Sequence, residues 1–168
     1  MMRCAAFALA LVLCLPAHGA EPPGRRLFII ERSVNSNIVV YDANVIEGKA
    51  LNGARPVDAY WIMRELGGRR EELNYIEKRR AYGFDIEKVR EGSHYRMAIR
   101  SFRDRLISIV LEKNRPRAVM EINGRRGYLS RIFIASAGSA IVPLIDHVVL
   151  YGVDMVTGEP LREKINSR

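Results

Sequence analysis

Short apolar segments separated by polar turns recur along most of this chain, and they predict β-strands. The pattern is clearest in residues 57–65, where Val57, Ala59 and Trp61 alternate with polar or mixed positions. Alternation with a period of two is typical of a strand with one buried face. Comparable segments occur at 27–31, 38–41, 84–89, 95–102, 106–112, 117–122, 128–135 and 147–153, with a return hairpin at 161–165.

The turns between these segments are short and predict an antiparallel meander. Asn123 and Gly124 give the firmest signal, because both residues tolerate the positive φ of a tight hairpin turn. No β-α-β pattern occurs, so a parallel sheet is not expected. The predicted fold is mainly β: an antiparallel up-and-down sheet of about eight strands, curled into a barrel or strongly bent. Segments 38–41 and 132–134 are apolar on both faces, which requires closure of the sheet or cover by a helix.

One α-helix is expected near residues 70–81, on the surface of the domain. Its first turn would carry two glutamates (71–72) and its last turn three basic residues (78–80), which complements the helix dipole. Leu73 and Ile76 give it only a narrow apolar stripe. We therefore expect it to lie against the sheet from outside and not in the centre of the core.

The first twenty residues predict a secretory signal peptide. Arg3 is followed by an apolar run over residues 5–15, too short to span a bilayer, and then by small residues. Cleavage after Gly19 is expected, because Ala17 and Gly19 then occupy the two positions that require small side chains. The expected organisation is a cleaved signal peptide at 1–19, a flexible leader at 20–26 and a single β-rich domain at 27–168.

This signal predicts an exported protein, periplasmic or secreted. Both cysteines, Cys4 and Cys14, lie within the signal, so the mature domain is expected to contain no disulfide and no catalytic thiol. A lipoprotein anchored through Cys14 is the alternative, which Leu13 disfavours because lipoprotein processing needs a small residue there. No later segment has the apolar length of a membrane span, so a membrane-spanning protein is not expected.

The chain is basic, with 27 Lys and Arg against 19 Asp and Glu and a formal net charge of +8. A basic surface attracts polyanions such as nucleic acids, anionic lipids or acidic glycans. The basic residues are spread along the predicted turns, and an exported protein meets little nucleic acid. Nucleic acid is therefore not an expected partner, whereas a polyanion of the cell envelope is.

Few residues of the mature chain can support metal binding or nucleophilic catalysis. It has no cysteine and two histidines, His94 and His147, which do not make up the usual zinc sites. Ser136 is followed by Asp146 and His147. Neighbouring residues on a strand point to opposite faces, so this aspartate is not expected to orient this histidine. No catalytic residue, metal or cofactor is predicted.

Arg131 is the first candidate for ligand binding, because it lies in a strand otherwise rich in apolar residues. Its face would also carry Leu129 and Phe133. If that face lines a barrel interior, the guanidinium could hold a carboxylate or phosphate in bidentate fashion. The structural alternatives are exposure at the sheet rim or an ion pair, with Asp154, Asp58 or Glu121 as its acid.

Three tyrosines are the other candidates. Tyr60 shares its strand face with a mixed polar and apolar row, which is typical of a ligand wall or rim. Tyr128 and Tyr151, on later strands, could join it. The alternative role for each of these aromatic residues is packing within the domain.

Six segments in order along the chain carry a family resemblance: LFIIERS at 27–33, VVYDAN at 39–44, PVDAYWIM at 56–63, REEL at 70–73, AYGF at 81–84 and VLYGVD at 149–154. Together they resemble the bacterial family known as domain of unknown function 4833. The resemblance covers nearly all of the mature chain. It implies a single exported domain and supplies no activity, ligand or catalytic residue.

The leading hypothesis is a non-enzymatic cell-envelope domain that holds a small apolar or anionic ligand inside the curled sheet, through Arg131, Tyr60, Tyr128 and Tyr151. One alternative is an envelope hydrolase or transferase acting on glycan or lipid, which would use His94 or His147 with a carboxylate. Another is a structural module that docks on a protein partner through its basic rim. The sequence leaves the ligand, the partner and the oligomeric state open.

Overall fold

The computed structural model describes residues 25–137 and 144–167. Within these residues the chain forms thirteen strands, one turn of 3-10 helix (Arg64–Leu66) and one short α-helix, α1 (Tyr75–Arg80). The strands are β1 Arg26–Arg32, β2 Asn35–Ala43, β3 Val45–Ile46, β4 Ala50–Leu51, β5 Val57–Met63, β6 Arg69–Glu72, β7 Phe84–Arg90, β8 His94–Ile99, β9 Phe102–Glu112, β10 Arg115–Ile122, β11 Arg125–Ala137, β12 Leu144–Asp154 and β13 Pro160–Asn166.

The expectation of a mainly β fold is confirmed, with more strands than the eight or so predicted. Each predicted apolar segment overlaps one strand, except that the segment 95–102 continues through a tight turn after Ile99 to the first residue of β9. The unpredicted strands are the two-residue β3 and β4, which pair only with each other, and the four-residue β6. Strands this short contain too few residues to show a recognisable alternation.

Eleven strands form one large sheet in which β11 is the central strand. One edge of β11 pairs with β12. The other edge pairs with two strands: residues 125–128 pair with β10, and residues 131–134 pair with β1. The strand order is β6-β5-β2-β1 on one arm and β10-β9-β8-β7 on the other, with β13 beyond β12. The sheet curls into a half-barrel.

The pairing of β1 with β11 is parallel, so the expectation of a wholly antiparallel sheet was wrong in this respect. The other pairings in the described residues are antiparallel. A parallel pair needs only a connection long enough to return to the same end of the sheet. Here the whole of β2–β10 supplies that connection in place of a crossover helix.

The main hydrophobic core lies on one face of this sheet, which we call the inner face. Phe28 and Tyr41 stack there with their ring centroids 4.4 Å apart. The Tyr41 hydroxyl donates a hydrogen bond to the carbonyl oxygen of Tyr82 at 2.5 Å. Burial raises the pKa of Tyr41 well above its ordinary value. Side chains from both arms thus fill the inner face.

The opposite, outer face is also apolar at β2, as the pattern of residues 38–41 indicated. Ile38, Val40 and Tyr60 form a second buried cluster there. The sheet does not close over this cluster. Helix α1 does not cover it either, because α1 lies at the inner face, where Glu77 accepts a hydrogen bond from Trp61 of the main core. Instead, side chains of the outer face cover it, including the Arg70 guanidinium 3.6 Å from the Tyr60 ring centroid.

The helix expected at 70–81 is much shorter than predicted. Residues 69–72 form β6, because the exposed edge of β5 offers their backbone hydrogen-bond partners and tertiary pairing overrides helix propensity. The helix then begins after Asn74, which forms a reciprocal capping box with Glu77. Its surface location is confirmed, since none of its six residues is buried.

The predicted signal peptide and most of the predicted leader fall in residues 1–24, outside the described residues. Residues 138–143 and 168 also lie outside them. Arg26, assigned to the leader, is the first residue of β1. Among the described helices, none has the length and apolarity needed to cross a membrane.

Candidate ligand-binding site

Three of the four predicted ligand-binding residues lie in one row that crosses the outer face. The strand registers place Arg131 beside Tyr151 on one side and beside Ile29 on the other. The row continues without a gap to Tyr60 on one arm and to Arg162 on β13. In spatial order its members are Glu72, Tyr60, Val40, Ile29, Arg131, Tyr151 and Arg162.

Arg131 occupies the middle of this row and is held by two neighbours. Its Nη1 donates to Oε2 of Glu31 at 3.1 Å, and its guanidinium carbon lies 4.0 Å from the ring centroid of Tyr151. The Arg131 side chain is 40% exposed. The ion-pair alternative is therefore the observed arrangement, but the acid is Glu31 and none of the three acids proposed from the sequence.

A β-bulge at Ser130 explains why Arg131 is not inside the half-barrel. Leu129 is opposite Gly152 and Arg131 is opposite Tyr151, so β11 uses two steps where β12 uses one. The extra residue reverses which side chains point inward and which point outward along β11. A bulge of this kind cannot be predicted from a sequence pattern that assumes a fixed period of two. Leu129 consequently faces the inner core, whereas Arg131 faces outward, so the prediction that these two share a face was wrong. Phe133, predicted on the same face, does share it with Arg131.

Cations outnumber acids around Arg131. Glu31 is shared with Arg64, whose Nη1 lies 3.7 Å from Oε1 of that glutamate. Arg162 and Lys164, on the outer face of β13, have no acidic partner among the described residues. We call this group the Arg131 patch; it comprises Glu31, Arg64, Arg131, Tyr151, Arg162 and Lys164. It holds four cationic side chains and one carboxylate.

Tyr60 lies in the same row but is fully buried. Its hydroxyl donates to Oδ2 of Asp42 at 2.5 Å, and Oδ1 of that aspartate accepts from Nε of Arg26 at 2.7 Å. The Arg70 guanidinium covers the ring at 3.6 Å. Tyr60 therefore supports the outer face and leaves no surface free for a ligand.

Tyr128 also faces outward, on the other side of the bulge from Arg131. Its hydroxyl donates to Oε2 of Glu112 at 2.6 Å, and the Arg117 guanidinium lies 5.1 Å from its ring centroid. The hydrogen bond to Glu112 raises the pKa of Tyr128. Tyr128 thus belongs to a separate group with Glu112 and Arg117, on the part of β11 that pairs with β10.

One protein-family model matches this chain, over residues 28–164: the domain of unknown function DUF4833. The chain belongs to the DUF4833 family. The sequence resemblance is thereby confirmed over most of the chain. No curated protein and no solved structure matches it. Any functional argument for this DUF4833 domain must therefore come from its own side chains.

The two histidines of the DUF4833 domain differ in their surroundings. Nδ1 of His147 lies 2.7 Å from Oδ2 of Asp146, so the expectation that these neighbours could not interact was wrong. A second bulge, at Asp146, places both side chains on one side of β12. His94 instead has a buried Nε2 with no hydrogen-bond partner in the described residues. The described residues contain no group of three or more potential metal ligands.

A groove of about 320 Å³ opens on the inner side of the half-barrel, between β5, α1 and β7. Val57, Leu73 and Phe84 form its apolar wall. The cations at its rim are already paired: Lys78 lies 3.7 Å from Glu72, Arg100 bonds to Asp85, and Arg55 bonds to Asp58. This groove suits a small apolar group and offers no unpaired cation to an anion.

The sequence predicted Arg131 and Tyr151 as candidates but not the other members of the patch. Arg162 and Lys164 do alternate with apolar residues in the segment 161–165, which was a usable signal. Their relevance depended on β13 pairing with β12, so that Arg162 stands beside Tyr151. Glu31 could not be identified as the partner of Arg131 without the parallel pairing of β1 with β11.

Proposed function

We propose that this DUF4833 protein is a non-enzymatic, exported binding module that holds a small anionic ligand on the Arg131 patch. The observation that carries the proposal is the charge imbalance of the patch, four cations against Glu31 alone. Arg162 lies beside Tyr151 and Lys164 beside Val149, and neither has an acidic partner among the described residues. A ligand with one or two negative charges would neutralise part of this excess positive charge.

The chemistry of the patch favours a phosphate or carboxylate joined to a small apolar group. An arginine guanidinium binds either oxyanion through two parallel hydrogen bonds. The half-buried rings of Phe133 and Tyr151 adjoin Arg131 on the same face and offer a surface for the apolar part. This placement moves the ligand from the interior of the curled sheet, the site expected from the sequence, to its outer face.

Glu31 would act as the internal competitor of such a ligand. Its carboxylate already occupies Nη1 of Arg131 and neutralises part of the field of Arg64. Replacing it with glutamine keeps the shape of the side chain and removes the charge. We therefore expect Glu31→Gln to bind a small anion more tightly, by about three- to tenfold, because screened attractions of this kind are worth roughly 1 kcal/mol.

Isothermal titration with phenyl phosphate tests the proposal, with inorganic phosphate and phenol as partial ligands. Arg131→Ala should weaken phenyl phosphate binding about tenfold or more, because charge-assisted hydrogen bonds contribute about 1.5–3 kcal/mol. The matched control is Arg103→Ala, which also removes an exposed arginine paired with an acid, Asp85 at 3.3 Å. Equal losses in the two variants, or tighter binding of phenol than of phenyl phosphate, would refute the proposal.

A hydrolase is the second candidate function, and the contact between His147 and Asp146 favours it. The imidazole is oriented by an aspartate and its side chain is 21% exposed. None of the described hydroxyl groups lies within hydrogen-bond distance of its other nitrogen, so the pair would have to activate a water molecule. Hydrolysis of a 4-nitrophenyl ester that is lost in His147→Asn and kept in His94→Asn would support this candidate.

A further inference from the structure

Helix α1 presents two large apolar side chains to solvent. Tyr75 is 71% exposed and Ile76 is 68% exposed. A helix of six residues cannot persist through its own hydrogen bonds, so packing and capping must hold it in place. A helix that is fixed to the domain but buries none of its own side chains is well suited to contact something outside it.

The two sides of α1 have different roles. On the side that faces the domain, Glu77 accepts a hydrogen bond from Nε1 of Trp61 at 3.1 Å, and Lys78 pairs with Glu72. Residues that are one turn apart share the other side, which faces solvent. They form a shallow surface groove of about 420 Å³, lined by Tyr75, Ile76, Arg79 and Arg80.

The exposed side of α1 is cationic as well as apolar. Nη1 of Arg79 donates to the Tyr75 hydroxyl at 2.7 Å, which holds the guanidinium beside the ring. Neither Arg79 nor Arg80 has an acidic partner in the part of the chain that the structure describes. A tyrosine and an isoleucine thus lie one helical turn before two arginines that have no acidic partner among the described residues.

We propose that this side of α1 docks on an anionic lipid surface. Tyrosine and arginine are suited to the headgroup region of a bilayer, where a ring or an alkyl stem can enter the boundary and the polar end stays hydrated. The two unpaired guanidinium groups complement lipid phosphates, each basic residue near such a surface contributing to attraction. A purely acidic surface would satisfy the arginines and leave Tyr75 and Ile76 in water, whereas the headgroup boundary accepts all four side chains.

Co-sedimentation with vesicles tests this docking directly. The full mature chain is mixed with vesicles of phosphatidylcholine alone or with one third phosphatidylglycerol. We expect binding to the mixed vesicles only, weakened about fivefold by Arg79→Ala and again by Arg80→Ala. Ile76→Ser should weaken it by a similar factor, since the isoleucine side chain would no longer enter the boundary. Added salt should reduce the binding.

Two controls separate this surface from other parts of the protein. Val156→Ser removes an apolar side chain that is 93% exposed in the turn between β12 and β13. It should leave vesicle binding unchanged. Arg96→Ala removes an exposed arginine of β8 that pairs with Glu87 and should also leave vesicle binding unchanged. Equal losses in Ile76→Ser and Val156→Ser, or binding to soluble polyglutamate but not to vesicles, would overturn the inference.

Discussion

The ion pair between Arg105 and Glu163 connects β9 to β13 and should make a measurable contribution to stability. Nη1 and Nη2 of Arg105 donate to the two carboxylate oxygens of Glu163, each at 2.8 Å. Nη2 also donates to the carbonyl oxygen of Glu121, and the backbone N–H of Asn123 donates to Glu163 at 2.7 Å. Replacing Glu163 with glutamine keeps the volume and removes the charge from this network.

The expected loss for Glu163→Gln is about 1–2 kcal/mol. Hydrogen bonds to charged groups contribute about 1.5–3 kcal/mol, against roughly 1 kcal/mol for neutral ones. The side chains of Arg105 and Glu163 are 26% and 20% exposed, so solvent screens part of the difference. For a domain of this size, such a loss lowers the Tm by roughly 3–8 °C.

The same ion pair predicts how the stability difference between wild type and Glu163→Gln depends on pH. The hydrogen bonds from Arg105 are the main reason that the pKa of Glu163 lies below its ordinary value of 4.5. A carboxylate with a lowered pKa stabilises the fold above its unfolded-state pKa, and this contribution is lost as the pH falls through the folded-state value. The stability difference between wild type and Glu163→Gln should therefore be constant near pH 7 and shrink below about pH 4.5.

Urea unfolding at pH 7 and at pH 3, followed by Trp61 fluorescence, measures both effects. Glu87→Gln is the control, because Glu87 is 71% exposed and its contact with Arg96 is 3.6 Å long. We expect no measurable change for the control. A loss of stability for Glu163→Gln that equals the loss for the control would show that this network does not stabilise β13. A loss that grows as the pH is lowered would show the same.

Three further predictions concern the helix end, the core and the signal peptide. Gly83→Ala should destabilise the domain by about 2 kcal/mol or more, because the new Cβ would lie 1.7 Å from the carbonyl oxygen of Lys78; thermal unfolding checks this. Tyr41→Phe should cost about 1–2 kcal/mol through loss of the buried hydrogen bond to Tyr82, measured by urea unfolding. Protein recovered from an exporting host should begin at Ala20 by N-terminal sequencing, whereas a retained signal peptide would contradict the predicted cleavage.

Local patterns predicted most of the strands, and long-range pairing decided what they could not. Residues 57–65 show a clear alternation, and the strand there, Val57–Met63, needs only that local information. Residues 69–72 form a strand because β5 has an unpaired edge beside them. The glutamates at 71 and 72, which are typical of a helix start, therefore lie in β6. The parallel pairing of β1 with β11 joins residues about a hundred positions apart, which no local pattern encodes.

The candidate site was partly predictable for a similar reason. Arg131 was chosen as a candidate because a charge in an apolar segment requires either a partner or access to solvent. The direction in which it points was decided by the bulge at Ser130, and a single inserted residue moves every later side chain to the other face. The bulge at Asp146 had the same effect on His147, bringing together two side chains expected to diverge.

The location of anion binding is the most direct test of the proposed function. Backbone amide shifts of the isotope-labelled domain can be followed by NMR while phenyl phosphate is added. The binding module proposed above predicts shifts concentrated around Arg131 and its neighbours on β1, β12 and β13, absent in Arg131→Ala. Shifts confined to the groove between β5, α1 and β7, or to the surroundings of His147, would contradict it.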